Sequence, residues 1–373
     1  LPARDEAALI GDTLAALVGQ RGIDGEPLPH GFFDIVVFAN NCRDETAAVA
    51  RRMAARTPNV RILTIEERLP AALAHVGGAR KRVLDLAATR LLAAGRPDGC
   101  IASIDSDTRA NVDWIAWIAR EMRGRDAVAG HVTIAPADQE RLLAPVRLLY
   151  AREIAYRRIL AEVEARLDPR PEDPLPRHGS FVGAGFAVTA AAYVAAGGLP
   201  ALARLEDLAF ARALERIDAR VRHSPDVRAT TSARLGARVT GGFGSFLAEL
   251  HDCARRGTSF TVENAVRTIE DLEGRAALRR LRMGDARPND GERVSQIFNL
   301  APAEWLPEID PALPLGYAYE RITQRARSRR EPLAPMRVEH AIDLLRAAAI
   351  KAKSSGLQTC AGDDDAEQSL DAG

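Results

Sequence analysis

The stretch Cys100-Ile-Ala-Ser-Ile-Asp-Ser-Asp-Thr108 is a short apolar run with β-branched isoleucines that ends in two carboxylates one residue apart. It reads as a buried strand with an acidic C-terminal tip. Side chains at i and i+2 of an extended segment point the same way, so Asp105 and Asp107 would converge on one divalent cation, Mn2+ or Mg2+, as hard oxygen ligands. An ion held by one or two carboxylates keeps positions open for phosphate oxygens, and it steadies a departing diphosphate. A bare Asp-x-Asp also suits a strand end followed by the cap of a helix at Trp114, so the surroundings have to decide. A second acidic pair, Glu206-Asp207, opens an amphipathic helix that runs to about Asp218. The helix dipole favours carboxylates in that first turn, which accounts for only part of their presence.

The elements that must hold these groups alternate. A helix over Ala7–Gln20 is followed by a strand at Ile35–Ala39, a helix over 46–56 opened by Asp44 and Thr46, and a strand at Val60–Ile65. A helix from Gly77 to about Ala94 then leads to the acidic strand. That order predicts right-handed βαβ units and a mostly parallel sheet, with ligands at the carboxyl ends of the strands. Asn40 and Asn41 fall at such an end, as do the two aspartates. Ala127–Ile134 reads as a further strand, and 138–167 as one long, arginine-rich amphipathic helix that packs on the sheet or on a partner. Asp168–Gly179, with four prolines, reads as a loop long enough to be a functional flap or simply mobile. From about residue 247 the strands are expected to stop, giving a catalytic domain over 1–247, a helical appendage over 248–352 and a disordered acidic tail over 353–373.

Size and composition exclude several classes. With 373 residues, 47% of them apolar, the chain can build a sizeable core. Its 51 basic and 51 acidic residues balance, so no bulk field argues for nucleic acid. The four cysteines stand in no metal-ligand spacing, and Cys42 and Cys100 read as buried small hydrophobes in a reduced, cytoplasmic protein. No apolar run approaches the roughly 20 residues that span a bilayer, which leaves at most a peripheral place at the inner membrane face.

In their order and spacing, Pro-Ala-Arg-Asp-Glu at 2–6, Ala39-Asn40-Asn41, Asp105-Ser106-Asp107, Gly197-Gly198-Leu199-Pro200 and Glu206-Asp207 resemble the signatures of GT-A glycosyltransferases, specifically glycosyltransferase family 2. The resemblance implies an α/β, Rossmann-like GT-A fold, a nucleotide-diphosphate sugar donor, one divalent metal, and inversion at the anomeric carbon by direct displacement. Carried over, Pro2, Ala3, Arg4 and Glu6 would wrap the nucleoside, with Asn40 at the base and Arg80 or Lys81 near the nucleotide. Asp105 and Ser106 would face the ribose or metal, and Asp107 would bind the metal. Glu206 would hold the acceptor while Asp207 takes the proton of its hydroxyl. A carboxylate is a weak base for a free alcohol, but a transfer concerted with loss of a diphosphate needs no free alkoxide.

His223 falls where some GT-A enzymes place a third metal ligand, although a surface or core histidine is the plainer reading. Arg234 and Arg238 could clamp the diphosphate, and Trp114 and Trp117 read as core. The chain departs from the family twice. Asparagines stand where acidic residues often read the uracil edge, which leaves the base open. The Gln-x-x-Arg-Trp sequence of processive members is absent, so single additions to a hydroxyl acceptor are expected, and a homodimer through the appendage is an open expectation. A sugar-phosphate nucleotidyltransferase is the rival, but Pro2–Ile10 has none of the glycine or lysine of its phosphate loop. A catalytically silent binding protein is the other.

Overall fold

The computed structural model describes residues 1–233 and 242–361, with side chains as far as residue 354. The chain divides into two compact units, Leu1–Arg147 with Ser180–Asp252, and Leu148–Gly179 with the residues from Cys253 onward.

The first unit begins with β1 (Pro2–Ala3), α1 (Ile10–Val18), β2 (Asp34–Asn40), α2 (Thr46–Arg56), β3 (Arg61–Glu67), α3 (Val76–Ala93) and β4 (Cys100–Ser103). This is the alternation that the sequence predicts. β1, β2 and β3 pair in parallel, with Pro2 opposite Phe38 and Asp34 opposite Arg61. Ile35, Val37, Phe38 and Ala39 are all buried, the near-continuous apolar run expected of a parallel strand covered on both faces. α1 sends Ile10, Leu14 and Leu17 at helical spacing into a core shared with Val37, Ile104, Trp114 and Ile118. Trp114 is therefore a packing residue, and burial of each large side chain there contributes roughly 1.5–3 kcal/mol.

The unit continues with β5 (Thr108–Ala110), α4 (Trp114–Glu121), β6 (Ala127–Ile134), α5 (Pro136–Arg141), the start of α6 (Ala144–Leu167), β7 (Phe186–Thr189), α7 (Ala190–Ala195), α8 (Glu206–Arg216), β8 (Val221–Thr231) and most of α9 (Phe243–Arg256). Five strands stand in the order β4-β7-β6-β8-β5. In that sheet β6 and β8 run parallel, and the other three pairings are antiparallel. Thr230 and Thr231 end β8, where Thr231 pairs with Thr108. The single helix expected over 138–167 is two, because Leu142 is extended and separates α5 from α6. The division expected at residue 247 falls inside α9, and residues 148–179 group with the second unit.

That second unit holds most of α6, then β9 (Thr261–Val262), α10 (Ala265–Met283), α11 (Asp290–Phe298), α12 (Pro302–Trp305), α13 (Leu315–Ala326), β10 (Met336–Arg337) and α14 (Val338–Ala361). It is mainly helical, as expected, with one short antiparallel pairing of β9 and β10 that the sequence did not announce. Its core gathers Leu278, Val294, Phe298, Trp305 and Ile322. Residues 353–361, expected in a disordered tail, continue α14, and 362–373 lie outside the described residues. The proline-rich loop is tied down by ion pairs: Arg177 meets Glu164 at 2.5 Å and Asp173 at 2.8 Å, and Arg279 and Arg275 donate to Asp168 at 2.8 and 2.7 Å. Cys42 is half-buried and Cys100 exposed, so the expected burial holds for neither; among the described residues Cys253 is the buried thiol. Among the described residues no helix is long and apolar enough to cross a membrane.

Candidate active site

Asp105 and Asp107 do not lie on an extended strand. β4 ends at Ser103, and the pair occupies a turn closed by the Thr108 N–H donating to the Asp105 carbonyl at 3.2 Å. The turn is fixed from behind, where the Thr13 hydroxyl of α1 donates to the Ser106 carbonyl at 2.9 Å. Asp107 accepts from the Ser232 hydroxyl at 2.8 Å, just past the end of β8. The two carboxylates are thus neighbours through a turn rather than through strand geometry.

Arg80 connects this turn to the second acidic pair. It is 2% exposed, with Nη2 donating to Asp105 and Nη1 to Glu206. The local sequence makes the approach feasible. Gly77 lies one helical turn before Arg80, and a side chain there would overlap the Leu202 carbonyl and crowd the Glu206 Cβ at 3.2 Å. The bare face of α3 therefore lets the segment leading into α8 sit against it, which carries Glu206 to the guanidinium.

Leu205 precedes α8 in a left-handed conformation with φ of 54°, which costs a leucine about 1–2 kcal/mol and sets the direction of the first turn. Asp207, the next residue after Glu206, accepts from the Gly183 N–H and the Leu208 N–H, each at 2.8 Å. Gly183 in turn accepts from the Ser103 hydroxyl of β4 at 2.8 Å.

Charge is unevenly matched here. Burial is the first cause holding Asp105 above the usual carboxylate range; Arg80 opposes it, and the charges of Asp107 and Asp207 reinforce it. Glu206 is raised for the same reasons, burial first, with Asp207 adding to it and Arg80 opposing. A helix N-terminus favours a carboxylate by only about 0.3–1 kcal/mol, so burial and the neighbouring acids win. Arg80 itself is held above its ordinary value: burial lowers it, but Asp105, Glu206 and Asp207 together more than offset that. Asp105 therefore feels both Asp107 and Asp207, and the two acidic pairs, about a hundred residues apart in the chain, occupy one place.

The other expected site residues divide. Parallel pairing of Pro2 and Ala3 with Phe38 and Ala39 sets Arg4–Glu6 beside the end of β2, and the Leu1 nitrogen is close enough to Arg80 and Asp105 to feel both charges. Asn40 is 1% exposed with a buried Oδ1 that has no hydrogen-bond partner. Asn41 is spent on the fold, exchanging two bonds with the backbone of Leu69 at 3.0 and 3.1 Å. Arg4 donates to the Ala74 carbonyl at 2.7 Å, and the N–H of Glu6, a buried residue, donates to the Thr46 hydroxyl at 2.8 Å.

Lys81 turns away to Asp85 at 2.9 Å, one helical turn along. His223 is not brought to the acidic turn. It pairs with Ala129 toward the start of β8, whereas Ser232, which does reach Asp107, follows the strand's other end; at about 3.3 Å per residue the histidine is too distant to share an ion with Asp107. Arg234 and Arg238 lie outside the described residues.

Ser103, Gly183 and Ser232 are the site residues that sequence reasoning passed over; the glycines at 183 and 185 ahead of β7 were the available signal. Among the described residues, the one group of three metal-ligating side chains within 4.8 Å of one another is Asp5, Cys42 and Asp44. Those carboxylates already serve the backbone, Asp44 accepting from Ala7 and Asp5 from Arg43 at 2.9 and 2.6 Å, and burial pushes the Cys42 thiol up, away from the thiolate that binds metals.

Residues 1–164 match the family model described as glycosyl transferase family 2. No curated protein matches the chain. Among solved structures, one described as the mannosyltransferase PcManGT from Pyrobaculum calidifontis in complex with GDP-Man and Mn2+ is similar at 17% identity with a TM-score of 0.41, over 94% of this chain and 85% of that one.

Proposed function

From the match of residues 1–164 to the glycosyl transferase family 2 model we propose that the chain moves a sugar from a nucleotide-diphosphate donor to an acceptor hydroxyl, one addition at a time and with inversion. The observation that supports this most is the salt-bridged junction of Asp105, Arg80 and Glu206, which sets the Asp-Ser-Asp turn and the Glu-Asp helix start around one space.

The residues fit a divalent cation. Their donors are hard oxygens, and the carboxylates are crowded enough that two of them sit above their usual range, a disadvantage that a cation removes. Asp107 and Asp105 would hold it. When bound, the ion would offset charge on the departing diphosphate.

In this reading Asp207 is the base. The Gly183 and Leu208 N–H groups fix both of its oxygens, one each, leaving further lone pairs for an acceptor hydroxyl. As the hydroxyl oxygen bonds to the anomeric carbon, the bond from that carbon to the diphosphate oxygen breaks and the proton passes to Asp207. Glu206, 5% exposed and paired with Arg80, braces the site rather than touching the acceptor. Asn40 supports base recognition through its unpaired buried Oδ1, which accepts an N–H.

The test is release of nucleoside diphosphate from a panel of nucleotide-diphosphate sugars with Mn2+, with Mg2+ and with chelator. Metal-dependent release from one donor is expected. Tight nucleotide binding without release from any donor would identify a silent binding protein instead.

A further inference from the structure

Gly183 is the point where three things meet. Its carbonyl takes the Ser103 hydroxyl from β4, its N–H goes to Asp207, and its Cα faces the guanidinium of Arg80 so closely that a Cβ would stand 2.5 Å from Cζ and 2.8 Å from Nη2. The guanidinium spreads its two terminal nitrogens over carboxylates from different elements, Asp105 after β4 and Glu206 in α8, and leaves its buried Nε without a hydrogen-bond partner. Stability alone does not favour an arrangement that forgoes a buried hydrogen bond. Lysine, a point charge on a flexible stem, cannot span both carboxylates as the planar fork does.

We propose that Arg80 is a positioning residue, seated on the bare Cα of Gly183, that locks the donor-side carboxylate Asp105 to the acceptor-side helix carrying Asp207. This rests on the glycosyl-transfer reading. Arg80 binds neither donor nor acceptor; it sets the separation of the two acidic pairs, so that donor affinity and turnover are tuned by one contact. Gly183 gives the contact its shape. An alanine there keeps both backbone hydrogen bonds and the arginine's charge, yet displaces the guanidinium.

The experiment compares wild type, Arg80→Lys, Gly183→Ala and the double variant in steady-state transfer or donor hydrolysis with Mn2+, alongside thermal melting and calorimetric binding of the nucleoside diphosphate with Mn2+. Each single variant is expected to raise the donor KM and lower kcat, each by about tenfold or more. The double variant should be no worse than the poorer single one within about threefold, because residues sharing one contact are not additive. Folded variants with wild-type KM and kcat overturn the proposal, as do losses that simply multiply in the double variant or that follow the drop in melting temperature alone. A wild-type protein that neither binds nor turns over any nucleotide sugar overturns the glycosyl-transfer reading itself, and this inference with it.

Discussion

Each unit of the molecule buries an ion network, and the two are built with opposite balances. In the second unit Glu164 and Asp168 are surrounded by Arg170, Arg177, Arg275 and Arg279. Although burial works against their charge, the arginines hold both carboxyls below the usual range. In the first unit Asp105, Glu206 and Asp207 crowd Arg80, and Asp105 and Glu206 stand above it. The same residue types thus make a brace in one place and a receptive site in the other. An excess of guanidinium satisfies a carboxylate, whereas an excess of carboxylate leaves a demand that a cation or a proton can meet.

The contrast should break most sharply at Asp207, the proposed base. Asp207→Asn should lower kcat by about 10²–10⁴-fold while leaving metal-dependent nucleotide binding within a few-fold of wild type by calorimetry; an equal loss of binding would place Asp207 among the metal ligands. In the brace the loss should be one of stability. Arg275→Met is expected to cost roughly 3 kcal/mol in urea unfolding with the nucleotide affinity unchanged, because Arg275 serves two buried carboxylates at once: Asp168, 1% exposed, keeps Arg279 and Arg170, and Glu164 keeps Arg177, but both lose the guanidinium they share.

The smallest effect is the dependence on pH. The lowered pKa values of Glu164 and Asp168 give stability that is present above their ordinary values of 4.5 and 3.8 and is lost as pH falls through the folded ones. The raised values of Asp105 and Glu206 act in reverse, giving stability that is fullest below their ordinary values of 3.8 and 4.5 and is lost as pH rises through the folded ones. Amide hydrogen exchange should therefore show protection of the first unit falling as pH rises above 3.8 and 4.5, and that of the second falling as pH drops below them. Mn2+ should weaken the first trend by favouring the ionised site.

Much of this arrangement was readable in the residues. The β-branched, apolar run Ile35–Ala39 lies within a buried strand, and the helix expected over 46–56 spans Thr46–Arg56. The two acidic pairs stood out in the sequence, but the first was expected at a strand tip and lies in a turn instead, because β4 stops at Ser103. β5 and the start of β8 were not, since three residues carry no periodicity and their strand character comes from pairing with partners about a hundred positions away. Arg80 was seen, but as a nucleotide neighbour. Its carboxylate partners lie 25 and 126 residues away, and the bare glycines that admit them, Gly77 and Gly183, have no side-chain pattern to read. His223 failed for the complementary reason: its place in the chain order suited a ligand, and the register of β8 sends it elsewhere.

Leu205, left-handed and more than half exposed, stands directly before the acidic helix. Asparagine adopts that backbone shape far more readily, so an engineer seeking heat tolerance would be drawn to exchange it first. Because asparagine keeps the same backbone angles, the exchange would ease the joint's strain without redirecting the helix that follows, so endurance would rise and the placing of Glu206 and Asp207 would stay as it is.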